Sequence, residues 1–249
     1  MKNLELPEVT KPLVEQLRIL WKFSEDEMRG KDFQTKNDLR HIILLQITSA
    51  ASRIVSSILG QIDGGSFYNF EMLLRPLVEG IINYKYIKED ETQMRARAFI
   101  VDDLGSRIVN VRKMTTSLYV SSIPPQDIEG YKRLITQLET EKQEMIQQYG
   151  EDKLNFYSLQ RRAELSGTFD MYVTLYWLLC QDTHMTSRGL DKYMKLDNEQ
   201  LSISWDLDLG LFTTHIKSFY TLFLALLGEC SEVFGVPPKD KLNAFPTKI

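Results

Sequence analysis

The stretch Leu73–Ile87, LLRPLVEGIINYKYI, decides the fold. It is apolar on nearly every face of a helix, and such a helix has to be surrounded by other elements. A helix from about Ser66 to Lys88 therefore predicts a bundle built around it. Pro76 removes one backbone donor inside it and should kink it, while Gly80 admits a neighbour closely. Two charges interrupt the run: Arg75 and Glu79, four apart and so on one face, bordered by Leu73, Leu74, Leu77 and Val78. A charged pair in that setting is expensive to desolvate. The expectation is a buried Arg75–Glu79 pair in the core, and two readings of it stay open. One is a salt bridge tying helices together. The other is a pocket floor in which Arg75 binds an anionic group and Glu79 orients it or acts as a base.

Helical spacing continues on both sides. Towards the N-terminus, a helix from about Thr10 to Arg29 has Pro12 in its first turn and Leu13, Leu17, Leu20 and Met28 on one face. A second, Asn37 to Leu59, carries a stripe through Ile43, Ile47, Ala50 and Ile54, with small residues at Ser49–Ser52 that would permit close helix approach. Towards the C-terminus a helix from Glu91 to about Thr116 ends before a break at Pro124-Pro125. The next, Asp127 to Tyr149, keeps a seam of Tyr131, Leu134, Leu138, Met145 and Tyr149. It is expected to pack antiparallel on a neighbouring helix, or on another subunit to make a homo-oligomer. A short turn at Leu159–Leu165 precedes a sixth helix, about Thr168 to Gln181. The segment LSISWDLDL, residues 201–209, alternates and is predicted to be extended, and a last apolar helix spans about Leu211 to Phe234. The fold class expected is all-α: one domain over 1–249, about seven helices, a core over 10–235 and a loosely held tail over 236–249.

A formal net charge of -4 argues against a protein that coats nucleic acid, though a local basic pocket remains compatible with it. Cys180 and Cys230 lie far apart and suit reduced thiols of the cytosol. The start, MKNLELPEVTKPL, lacks the apolar run of a signal peptide, and the run Leu222–Leu227 is far short of a membrane span. The expectation is a soluble cytoplasmic protein with no membrane partner.

His184 closes the sixth helix in LLCQDTHMTSRG, with Cys180 one turn earlier and Asp182 and Thr183 at the helix end. A histidine there is a partner for the helix C-terminus or a packing residue, or else a general acid/base at the rim of the Arg75–Glu79 pocket. With three histidines and no HExxH or CxxC, no metal site is expected, and without a Walker loop, GxGxxG or GxSxG no cofactor is expected either. Arg95, Arg97, Arg107, Arg112 and Lys113 scatter around their helix at about 100 degrees per residue and read as solvated charge.

Two stretches together, FEMLLRPLVEGIINYKYI and SLQRRAELSGTFDMYVTLYWLLCQDTHMTSRGL, resemble a large bacterial family of helical domains of unknown function. Its pattern is Arg and Glu four apart on an apolar helix, then a Tyr-rich helix ending in a small hydroxyl residue, three residues and His. The positions here are Arg75, Glu79, Tyr172, Tyr176 and His184, across about Asn37 to Leu190, with Cys180 where the pattern has Ser. The resemblance implies a helical fold with a shared polar centre and supplies no reaction. On it rests a leading expectation: a defence- or stress-related protein binding an unidentified anionic small molecule. Its ligand contacts would be Arg75, Glu79, Asp182 and Tyr176, and any catalysis would rest with His184, Glu79 and Arg75. By fold analogy the runner-up is a metal-independent RNase of the HEPN type acting on RNA, although Arg188 follows His184 and so reverses that motif's order. A third reading is a non-enzymatic interaction protein whose docking arm is the 127–149 helix.

Overall fold

The computed structural model describes residues 6, 8–33, 35, 38–66, 70–116, 124–183, 194–197, 200–203 and 208–247. Helices dominate: α1 (Lys11–Met28), α2 (Leu39–Asp63), α3 (Phe70–Lys88), α4 (Met94–Thr116), α5 (Pro125–Tyr149) and α6 (Leu159–Leu165). Then α7 (Phe169–Met171) runs through a π-helical segment, Tyr172–Tyr176, into α8 (Trp177–Thr183). The long α9 (Leu209–Phe234) and a single turn, α10 (Lys239–Leu242), follow. The fold is all-α, as expected.

α3 is central for the reason its sequence gives. Phe70, Leu74, Leu77, Val78, Ile81 and Ile82 are buried on its several sides against α2, α9, α6 and α8. Its helix continues through Pro76, which lies on the exposed side next to Met72. The Met72 carbonyl that loses its donor there is on a face where water can replace it. At Gly80 the close neighbour is α2: Ile47 Cγ2 stands 3.5 Å from where a Cβ would be, an ordinary contact.

Caps begin several helices where the sequence has short polar residues. Asp38 accepts from the Arg40 and His41 amides, Ser158 from Arg161, and Asp208 from Leu211. The buried Thr10 hydroxyl lies 2.7 Å from that of Thr213, which fixes the start of α1 on α9. Gly235 ends α9 in the left-handed region with φ 66°, where a side chain would be strained.

The seam of α5 is used within the chain. Leu138 is buried against Leu104 and Ile108 of α4, with Leu134, Ile135 and Met145 beside it. Arg97 stacks on Tyr149 near one end of the pair and Arg112 pairs with Glu139 further along, so the helices run antiparallel.

Three expectations are refined or corrected by the structure. The extended segment expected at 201–209 contains a strand whose described residues are Gln200–Ile203, paired antiparallel with Met194–Asp197, and Asp208 caps α9. The described part of the tail, residues 236–247, is not loose. Leu242 is buried, the Phe245 ring lies 5.1 Å from Phe23, the Tyr220 hydroxyl donates to the Pro246 carbonyl at 3.0 Å, and Lys241 pairs with Glu27 at 2.6 Å. A few side chains after the Pro-Pro break hold it, because Phe23 of α1 and Tyr220 of α9 meet them. Lastly, apolar stretches are longer than the run 222–227 suggested. Both Leu39–Asp63 and Gly210–Phe234 are long and apolar enough to cross a membrane, although 39% and 50% of their most apolar windows are buried inside the bundle.

Candidate functional site

Arg75, Glu79 and Asn83 follow one another at intervals of four on α3 and so form one row. α6 and the α7–α8 segment pack across this row. Its open end holds Arg75, whose guanidinium donates to the Tyr176 hydroxyl at 3.3 Å and lies 5.3 Å from the centre of that ring. The hydrogen bond to Tyr176 is the chief reason the Arg75 guanidinium is held above its ordinary pKa, and Glu79 contributes least. Burial raises the Tyr176 phenol while Arg75 pulls it back.

Tyr172 and Tyr176 are the first and last residues of the π-helical turn, and their rings stack at 5.4 Å and 21°. Phe169 extends the ladder, stacked on Tyr172 at 6.3 Å.

The closed end of the row belongs to Arg162 of α6. Its side chain is buried, Nη1 donates to Asn83 Oδ1, and the guanidinium carbon lies 4.0 Å from the centre of the Phe156 ring. Burial pulls the Arg162 guanidinium below its ordinary pKa, and the charges of Glu79 and Asp102 push back. Its Nε has no hydrogen-bond partner, and no ion pair to Arg162 exists among the described residues. Glu79 itself, half-buried between the two guanidinium groups in the row, makes no hydrogen bond or ion pair among the described residues.

The expected arrangement is therefore corrected in one respect. Arg75 and Glu79 are half-buried rather than sealed in the core, and Arg75 turns to Tyr176 instead of pairing with Glu79. On a helix packed on several sides, the Arg75–Glu79 row is the one that meets polar tyrosines and a second arginine, so neither charge has to be satisfied by the other. Arg75, Glu79 and Tyr176 come together, with Cys180 of α8 near them. Asp182 belongs to α8 by its backbone, and His184 lies outside the described residues.

Two residues of the site escaped the sequence reading. Asn83 is four beyond Glu79, so extending the row one turn would have found it. Arg162 gives no such signal, because an Arg161-Arg162 pair in a short helix reads as surface until α6 is docked on α3.

Among the described residues no three His, Cys, Asp or Glu side chains converge to hold a metal ion. A cleft of about 1360 Å³ between α4, α5 and the turn Glu151–Leu154 has Phe156 in its wall but contains none of the predicted site residues.

These features define a class: an all-helical domain with a polar row, Arg-Glu-Asn, on its central helix, faced by a buried arginine and stacked tyrosines. Residues 41–201 match the model of the Family of unknown function (DUF5677), and the chain belongs to that family. The match nearly coincides with the 37–190 span that carries the motif resemblance. No curated protein and no solved structure matches the chain.

Proposed function

We propose that this chain is a cytosolic protein that binds a small anionic ligand along the row from Arg162 to Arg75. One observation carries the reading: Arg162 is a buried cation with an unpartnered Nε and no ion pair among the described residues. Burying an ion costs several kcal/mol unless charge or hydrogen bonds offset it. Asn83 and the Phe156 ring offset part, and an anion would complete the set. Glu79, with no hydrogen bond among the described residues, suits a ligand that also carries a donor, such as a hydroxyl beside a phosphate. In this reading Tyr176 and Arg75 hold the outer part of the ligand, Asp182 and His184 are the next contacts along the chain, and His184 is the group that would move a proton if there is turnover.

Titration calorimetry with inorganic phosphate and with AMP tests it. The parent should bind one of them saturably. Arg75→Met, at a half-buried position, should weaken binding by about 1.5–3 kcal/mol, roughly ten- to a hundredfold. Glu79→Gln should strengthen the binding of phosphate by removing a like charge. No saturable heat from either probe, or binding indifferent to Arg75→Met and Arg162→Met, would overturn the reading.

A further inference from the structure

A second cavity lies away from the α3 row, between α1, α2 and α9. Its volume is about 470 Å³, within the range of small-molecule sites. Ser49, Ser52 and Ser56 of α2 line it, while Ala51 of the same helix is buried in the core. Its apolar wall is Trp21, Met28, Phe33, Leu45, Phe223 and Leu227. The Trp21 indole N–H, buried at that wall, has no hydrogen-bond partner among the described residues.

The polar side of the cavity is partly committed and partly open. Glu25 accepts from Ser52 at 2.8 Å and pairs with Arg29, and the Ser52 hydrogen bond is the main cause holding its carboxyl below the ordinary value. That carboxylate is therefore ionised at neutral pH and already balanced by one guanidinium. Arg53 is the other cation on the lining, exposed, with no side-chain hydrogen bond or ion pair among the described residues. The hydroxyls of Ser49 and Ser56 are likewise without described partners. One uncommitted positive charge, two spare hydroxyls and an apolar wall match one chemistry.

We infer that this cavity binds an amphipathic monoanion, a medium-chain carboxylate, with its chain on the Trp21–Phe223 wall and its head at Arg53, Ser49 and Ser56. A dianion would be overcharged beside Glu25, and a neutral hydrocarbon would leave the hydroxyls and Arg53 unused.

Calorimetry with decanoate, and with decanol as the uncharged control, tests this on the full chain. Decanoate should bind the parent saturably, and Arg53→Ala should weaken it about tenfold while leaving decanol unaffected. Ser56→Phe, which fills the space, should abolish both, with the fold checked by circular dichroism. Arg75→Met should leave decanoate binding unchanged, which keeps this site separate from the α3 row. Absence of decanoate binding at millimolar concentration, equal loss of decanol in Arg53→Ala, or full binding in a folded Ser56→Phe variant would overturn the inference.

Discussion

Arg162 of α6 reaches across to Asn83 of α3, and this hydrogen bond joins two elements 79 residues apart in the chain. Because both side chains are buried, the pair is asymmetric under mutation. Asn83→Ala leaves the guanidinium without its acceptor and should cost about 2–3 kcal/mol. Arg162→Met combined with Asn83→Leu, which removes both polar groups at similar volume, should cost clearly less. Urea denaturation of the single and double variants measures this. An Asn83→Ala variant within about 0.5 kcal/mol of the parent would show that Arg162 finds another acceptor.

Glu79 should matter little to stability. It is half-buried and makes no described hydrogen bond or ion pair, so Glu79→Gln should change unfolding free energy by less than about 1 kcal/mol. A sealed ion pair with Arg75 would instead cost about 3–5 kcal/mol when broken. Chemical denaturation separates the two, and the larger figure would restore the buried-pair reading.

Leu138 is the buried centre of the α4–α5 contact. Leu138→Asp places a carboxylate among Leu104 and Ile108 and should destabilise the chain by about 3 kcal/mol or more. The loss should show as earlier melting by circular dichroism without a change in mass by light scattering. A halved mass with unaltered melting would mean that α5 serves a subunit interface instead.

The two thiols should differ. Cys230 is buried and its pKa is raised to about 11, chiefly by burial, whereas Cys180 is half-buried on α8. Iodoacetamide at pH 8 should modify Cys180 first and reach Cys230 only on unfolding. The pH dependence follows from the same shift. The folded thiol holds its proton more tightly than the unfolded one, so its contribution is fully present below about pH 9. It is lost as pH rises towards 11, by an amount on the order of 2 kcal/mol. Mass spectrometry of timed labelling checks the first claim and denaturation across pH 8–11 the second. Equal labelling rates would place Cys230 at the surface.

Much of the architecture was written in local pattern. Spacings such as Leu13–Leu17–Leu20 and the stripe of α2 put apolar residues on one helix face, and capping at Asp38 and the stop at Gly235 are equally local signals. The π-helical turn at Tyr172–Tyr176 was not legible, since one widened turn leaves the apolar spacing almost unchanged. Nor was the tail's anchorage, which depends on contacts to Phe23 of α1 and Tyr220 of α9 far away in sequence.

The sequence by itself determined that α3 is central and that Arg75 and Glu79 share a face, because periodicity alone fixes which residues of a helix point the same way. Family membership over residues 41–201 is likewise a property of sequence. Only the tertiary structure decided what that face meets. Arg75 could have paired with Glu79 or with a neighbour, and the choice depended on Tyr176 arriving 101 residues later at 3.3 Å. Arg162 became part of the site for the same reason. Partners across a bundle are set by docking geometry, which no spacing within a single helix encodes.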